Sequence, residues 1–178
     1  MEEILYVNQT PYIIHKLLGR GKGGYSYLVE RDGLFYVLKQ IHHEPCSYYN
    51  FGNKIESEIR DYHKLAATGI AMPKMLDADI PNERILKEYI EGPTIYDLVK
   101  EDRMEDVYIQ QAYHIADIVT SFSLNIDYFP TNFIVRDGQI YYIDYECNPY
   151  ANEWNFINWG IQYWSKTAAF LEHLKNNP

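Results

Sequence analysis

The run Gly19-Arg20-Gly21-Lys22-Gly23-Gly24 constrains this chain more than any other stretch, because of what stands on either side of it. Tyr12 to Leu18 before it and Tyr25 to Val29 after it are β-prone, and Glu30-Arg31-Asp32-Gly33 then reads as a turn into Leu34 to Gln40. Ile4 to Val7 lies further upstream, divided from Tyr12 by Asn8-Gln9-Thr10-Pro11, so the N-terminus reads as a hairpin. A glycine run that opened a helix would suit a dinucleotide-binding unit, and one ending in Gly-Lys-Ser/Thr would suit a P-loop. Neither fits, since Gly24 is followed by Tyr25 and the continuation is strand. What remains is a glycine loop between antiparallel strands, whose backbone N–H groups can lie over phosphates. Taken alone, such a run also suits a flexible hairpin tip.

A second stretch, Leu124 to Glu146, supplies chemistry that a phosphate loop would need. Asp127 is followed by a short polar loop, then by Asn132, the β-prone Phe133-Ile134-Val135, the turn Asp137-Gly138, and a returning strand Ile140 to Ile143 that ends on Asp144. The hairpin brings Asn132 and Asp144 to the same end. Two carboxylates and an amide are hard oxygen donors of the kind magnesium takes alongside phosphates, and Asp127 is suited to orient an attacking hydroxyl. An ordinary surface hairpin with acidic ends is the plain alternative for this stretch by itself.

Between these two stretches the strand Val37-Leu38-Lys39 is followed by helical periodicity from Tyr49 to Ala67, with Phe51, Ile55, Ile59, Tyr62 and Leu65 on one face. Glu56 and Glu58 are the carboxylates this helix can aim at Lys39; an ion pair would hold the ammonium still for a nucleotide's phosphates. Thr94 with Asp97 resembles a capping box opening a helix to Lys100. Met104, Tyr108, Ala112, Ile115, Val119 and Phe122 mark the apolar face of a longer one, and a last helix is expected from Thr167 to Lys175.

Composition narrows the field of partners. The formal net charge is −9, from 25 acidic and 16 basic residues, and no stripe of Lys or Arg is present, which argues against nucleic acid and anionic membranes. No segment reaches the roughly 20 apolar residues of a membrane span. Cys46 and Cys147 are the two cysteines, far apart, and with no secretory signal at the start a cytoplasmic setting is expected. His42, His43 and Cys46 lie close together, but Pro45 intervenes and no second ligand pair follows at zinc spacing, so a solvated loop is expected there.

In order and rough spacing, Gly19 to Gly24, Val37-Leu38-Lys39, Glu58, Asp127 with Asn132, and Asp144 resemble the protein-kinase-like superfamily over nearly the whole chain. The likeness is to the atypical bacterial forms, aminoglycoside-phosphotransferase-like and RIO-like kinases, because Gly69 to Leu76 follows the helix and Ile143-Asp144-Tyr145-Glu146 stands where protein kinases carry Asp-Phe-Gly. The resemblance implies an α+β, two-lobe fold: an antiparallel-sheet N-lobe with one main helix over 1–88, a hinge at 89–92, and a short, mostly helical C-lobe over 93–178. It implies that Gly19, Gly21 and Gly24 cover ATP, that Lys39 meets the α- and β-phosphates with Glu58 as its anchor, and that the backbones of Glu88 and Ile90 bind adenine. Lys87 would then gate the back of the adenine site. Asp127 would be the catalytic aspartate, and Asn132 and Asp144 the magnesium ligands.

Two departures qualify what the resemblance implies. Asn125 stands where relatives carry His or Tyr two residues before the catalytic aspartate, and only 34 residues follow Asp144, without an activation segment. The aromatic tail, Trp154, Phe156, Trp159, Tyr163 and Trp164, is expected to cover the short lobe, with a substrate platform or a protein-partner surface as its other reading. The expected activity is Mg-ATP-dependent transfer of the γ-phosphoryl group to a hydroxyl, with serine or threonine of a protein as acceptor. A nucleotide-binding pseudokinase or ATPase-type regulatory module, a small-molecule hydroxyl kinase, and an acidic interaction protein with an accidental motif set are the other readings.

Overall fold

A computed structural model describes residues 2–45 and 53–178 of the chain. It is mixed α and β, and divides into two compact units: Met1–Arg60 with Pro73–Tyr89, and Asp61–Met72 with Ile90–Pro178. The junction between Tyr89 and Ile90 falls within the stretch read from sequence as a hinge. Residues 61–72, which the sequence reading placed in the first lobe, cluster with the second unit.

The first unit is an antiparallel sheet of six strands in the order β1-β2-β3-β4-β6-β5. The strands are β1 Ile4–Val7, β2 Thr10–Arg20, β3 Gly24–Arg31, β4 Leu34–Ile41, β5 Met75–Asp79 and β6 Arg84–Glu88. Two hairpins close through two-residue turns whose central residues have positive φ, Asn8 (45°) with Gln9 (69°) and Asp32 (54°) with Gly33 (77°), matching the right-handed twist of the strands they join. The first turn is thus shorter than the four residues expected from sequence, and Thr10 and Pro11 already belong to β2. The sheet curls until its ends meet. The Asn8 amide donates to Asp79 Oδ2 at 2.8 Å, its side chain donates to Asp77 Oδ1 at 2.8 Å, and Arg84 donates to the Tyr6 carbonyl at 2.7 Å. Val7, Tyr12, Val29, Leu38 and Leu86 fill the interior of the curl.

Helix α1, Lys54–Thr68, follows β4 and crosses the boundary between the units at Arg60. The Tyr49 and Phe51 positions expected to begin it lie outside the described residues.

The second unit is helical around two small two-stranded sheets. Helix α2, Ile95–Lys100, starts at the expected capping box: Thr94 Oγ1 accepts from the Asp97 amide, and Asp97 Oδ2 accepts from the Thr94 amide, both at 3.0 Å. Helix α3, Asp106–Ser121, buries Tyr108, Ala112, Ile115 and Val119 as the periodicity predicts. Phe122 caps its C-terminus, half exposed, rather than joining that face. Strand β7, Leu124–Ile126, pairs with β10, Cys147–Pro149, and β8, Phe133–Arg136, pairs with β9, Gln139–Tyr142, across the Asp137-Gly138 turn. Helix α4, Ala168–Asn176, is capped by Thr167 and closes the chain.

The aromatic tail divides between core and surface. Phe156 and Trp164 are fully buried, and the Trp164 indole donates to the Tyr128 carbonyl at 2.8 Å, which stitches the tail onto the Asp127 segment. Trp154 is instead 53% exposed. Gly160 permits the tail's close approach, since a Cβ there would sit 2.5 Å from Tyr128 Cβ and 3.0 Å from Phe156 Cδ2. Gly160→Ala is expected to lower stability by about 1–3 kcal/mol, the usual range for overpacking a buried contact, as read by urea denaturation.

Candidate functional site

In the first unit, the glycine loop is shaped by its own backbone and by the neighbouring strand. The Gly21 amide donates to the Gly24 carbonyl at 2.9 Å, and Gly19 faces Ser26 just after a register shift in the β2–β3 ladder. Gly24 opposes Ile41 so closely that a Cβ would lie 2.4 Å from the Gln40 carbonyl oxygen; only glycine fits there. Gly19 and Gly21 face open space. Gly23 lies over Lys39, its Cβ direction passing 3.4 Å from the Lys39 Nζ.

Lys39 sits on β4 between Ser26 of β3 and Ile85 of β6. Its Nζ donates to Glu58 Oε1 at 2.7 Å, with the two side chains only 15% and 11% exposed. Glu58 is therefore the paired carboxylate, whereas Glu56 is exposed in the first turn of α1. Such a pair loses most of its hydration, and an apolar replacement of both partners is often neutral or stabilising by about 1–4 kcal/mol. Stability alone gives no reason to hold a lysine here. Lys87 is buried on β6, opposite Val37 and Met75. Glu88 ends β6, its amide donating to the Lys74 carbonyl at 3.0 Å while its Oε1 accepts from the Lys74 amide at 3.2 Å. Ile90 is buried at the start of the second unit's main segment.

In the second unit, Asp127, Asn132 and Asp144 are gathered by backbone hydrogen bonds. Asp127 Oδ1 accepts from the Phe129 amide at 3.0 Å, turning the chain after β7. A 3-10 turn at Pro130–Asn132 follows, and the Asn132 side-chain amide donates to the Asp127 carbonyl at 3.3 Å, leaving its oxygen facing away from that bond. Phe133 pairs with Tyr142, and the Ile143 amide donates to the Asn132 carbonyl at 2.9 Å, so Asn132 and Asp144 flank the open end of the β8–β9 hairpin. Tyr145, the residue after Asp144, is fully buried against Tyr62 with ring centroids 4.7 Å apart. The donor set of one amide oxygen and two carboxylates, all partly exposed, fits a magnesium ion with retained waters.

Tyr142 is the residue that sequence reasoning missed. It was read only as part of a returning strand, yet its buried hydroxyl accepts from the Asp127 amide at 3.4 Å and donates to the Glu146 carbonyl at 2.8 Å. One phenol thus ties the Asp127 turn to the segment after Asp144. Burial, with the Asp144 and Asp127 charges nearby, pushes this phenol well above its ordinary range and keeps it a donor. The only signal in sequence was an aromatic residue two places before Asp144. Asn125, the departure noted in the sequence, is also buried, and its side-chain amide donates to the Trp154 carbonyl at 2.9 Å. Tyr142 thus supports the Asp127 turn, and Asn125 holds the tail.

The loop after β4 departs from expectation. His43 is 60% exposed, as a solvated loop would have it, but the His42 side chain is only 12% exposed and bonds the glycine loop. Cys46 lies outside the described residues. Among the described residues, no helix is long and apolar enough to cross a membrane. No protein-family model matches the chain, and no curated protein matches it.

Tyr142→Phe is expected to cost about 1–3 kcal/mol in urea denaturation, because it removes the hydrogen bond that the buried Tyr142 hydroxyl donates to the Glu146 carbonyl. Alkali tests the same residue. Tyr142 and Tyr128 are both held protonated by burial above the pH at which an unfolded tyrosine ionises, so the folded state retains their protons when the unfolded state has lost them. Their contribution is complete below about pH 10 and declines above it, by about 1.4 kcal/mol per pH unit for each. Replacing either by Phe is expected to flatten that decline in a stability–pH series.

Proposed function

We propose that the chain is a minimal Mg-ATP-dependent phosphotransferase of the protein-kinase-like kind, with two lobes corresponding to its two units. It moves the γ-phosphoryl group of ATP to a hydroxyl, with serine or threonine of a protein as the acceptor class. The observation that carries this reading is Lys39, desolvated, clamped by Glu58 at 2.7 Å and lying directly beneath Gly23. A lysine in that state is costly to keep unless an anion uses it, and a loop of glycines above it offers backbone N–H groups to the same anion.

The residues then divide the work. Gly19, Gly21 and Gly24 let the backbone approach the phosphates, Lys39 meets their charge, and Glu58 fixes the lysine's position. The backbones of Glu88 and Ile90 hold adenine. Asp127, turned by the Phe129 amide and braced by Tyr142, orients the acceptor hydroxyl and receives its proton as the phosphoryl group moves. A magnesium ion held by Asn132 and Asp144 would neutralise charge on the phosphates. Between Ile90 and Asp127 the chain forms only α2, α3 and the short β7, so no inserted domain encloses a small substrate there, which favours a hydroxyl presented by a protein.

A second reading, a nucleotide-binding module without turnover, draws on Asn125, which stands where relatives carry His or Tyr and whose side-chain amide donates to the Trp154 carbonyl. Purified protein with Mg-ATP separates the two. Asp127→Asn is expected to reduce turnover at least about a hundredfold while ATP binding persists, since proton transfer and orientation of the nucleophile are lost but the phosphate contacts remain. Asp144→Asn and chelation of magnesium are expected to remove turnover as well. ATP binding by the wild type with no turnover under any acceptor would favour the regulatory module, and absence of ATP binding would overturn both.

A further inference from the structure

We propose that His42 is a positioning residue that latches the glycine loop in the shape that receives phosphate; the inference rests on the reading of Gly19–Gly24 as a phosphate loop. His42 immediately follows β4, three residues after Lys39, and its ring reaches back to the loop's centre. Nε2 lies 2.8 Å from the Gly21 carbonyl oxygen. The Glu44 amide donates to Nδ1 at 3.3 Å, so Nδ1 carries no proton, and the proton sits on Nε2, where it donates to Gly21. The tautomer is therefore dictated by the backbone on one side and used by the loop on the other.

The rest of the surroundings hold the ring in place. Its backbone N–H donates to the Gly23 carbonyl at 3.4 Å, its carbonyl accepts from the Lys54 ammonium, and its ring packs against Tyr25 with centroids 5.1 Å apart. Glu44 completes the arrangement: its carboxylate takes Arg20 at 2.6 Å, accepts from the Tyr25 hydroxyl and passes 3.9 Å from Nε2. The flanks of the glycine loop, Arg20 and Tyr25, and its centre, Gly21, are thus all tied to residues 42–44. The two bonds from His42 to the carbonyls of Gly21 and Gly23 turn those oxygens toward it. With the carbonyls so engaged, a loop that glycine would otherwise leave free to flip is held in one arrangement.

Removing the ring's donor while keeping its bulk is the test. His42→Phe is expected to speed hydrogen–deuterium exchange of the Gly19–Gly24 peptide about three- to tenfold without nucleotide, the range set by one hydrogen bond. In turnover it is expected to raise KM for ATP by a similar factor with kcat within about twofold. His42→Gln, whose amide can donate from the Nε2 position, is expected to restore both values, while His42→Asn is too short to reach Gly21 and should behave like Phe; it also serves if the Phe variant melts early. Unchanged loop exchange in both the Phe and Asn variants overturns the latch. Faster exchange in a protein whose wild type binds no nucleotide would support the latch as a loop anchor and overturn the phosphotransferase reading instead.

Discussion

The ion pair between Lys39 and Glu58 is the interaction around which the first unit makes sense. Two charges largely removed from water are seldom worth their desolvation, so the structure around them has to supply the geometry that keeps them together. Lys39 is placed by the β4 register, which depends on the curl that brings Asn8 to Asp77 and Asp79. Glu58 is placed by α1, which begins at Lys54, itself donating to the His42 carbonyl. The glycine loop lies over the result, because Gly24 alone can pass so close to the Gln40 carbonyl. Strand, helix and loop each contribute one element of this cluster.

The second unit solves a related problem with different means. Asp127, Asn132 and Asp144 are held near one another in its chain by the Asn132 side-chain bond to the Asp127 carbonyl and the Ile143 amide bond to the Asn132 carbonyl. Backbone contacts do most of this work, through the Phe129, Ile143 and Asn132 amides, and the buried hydroxyl of Tyr142 adds a bridge that neither titrates nor swings away in the ordinary pH range. Asp127 and Asp144 stay partly exposed.

Much of this was legible in the sequence where the signal was local. The Asp137-Gly138 turn and the capping box at Thr94 follow from short-range patterns, and the structure shows them; it narrows the turn read at Glu30-Arg31-Asp32-Gly33 to Asp32-Gly33, and buries the α3 face up to Val119 but not Phe122. Strands β5 and β6 were not legible. Met75-Leu76-Asp77-Ala78-Asp79 has little β propensity, and its aspartates are satisfied by Asn8, roughly seventy residues away in the chain. The three-residue strands β7 and β10 are too short to show a period. The bracing role of Tyr142 and the inward turn of His42 were hidden for the same reason: each depends on backbone groups that only the folded chain brings within reach. The residues alone left Glu56 and Glu58 both open as partners of Lys39, and only the resemblance singled out Glu58, which is the one the structure pairs with Lys39.

The division into units has a consequence for how the chain acquires its structure. The polypeptide passes from the first unit to the second after Arg60, returns at Pro73, and leaves again after Tyr89. During synthesis, the segment Asp61–Met72 emerges before the residues that bury its Leu65 and Ile70, and β5 and β6 must complete their sheet while that segment still waits for a core. No single cut separates the two units. Each must mature in the presence of the other's unfinished chain, and an isolated N-terminal fragment ending at Tyr89 would carry a stretch of α1 with apolar side chains and nothing of its own to bury them against.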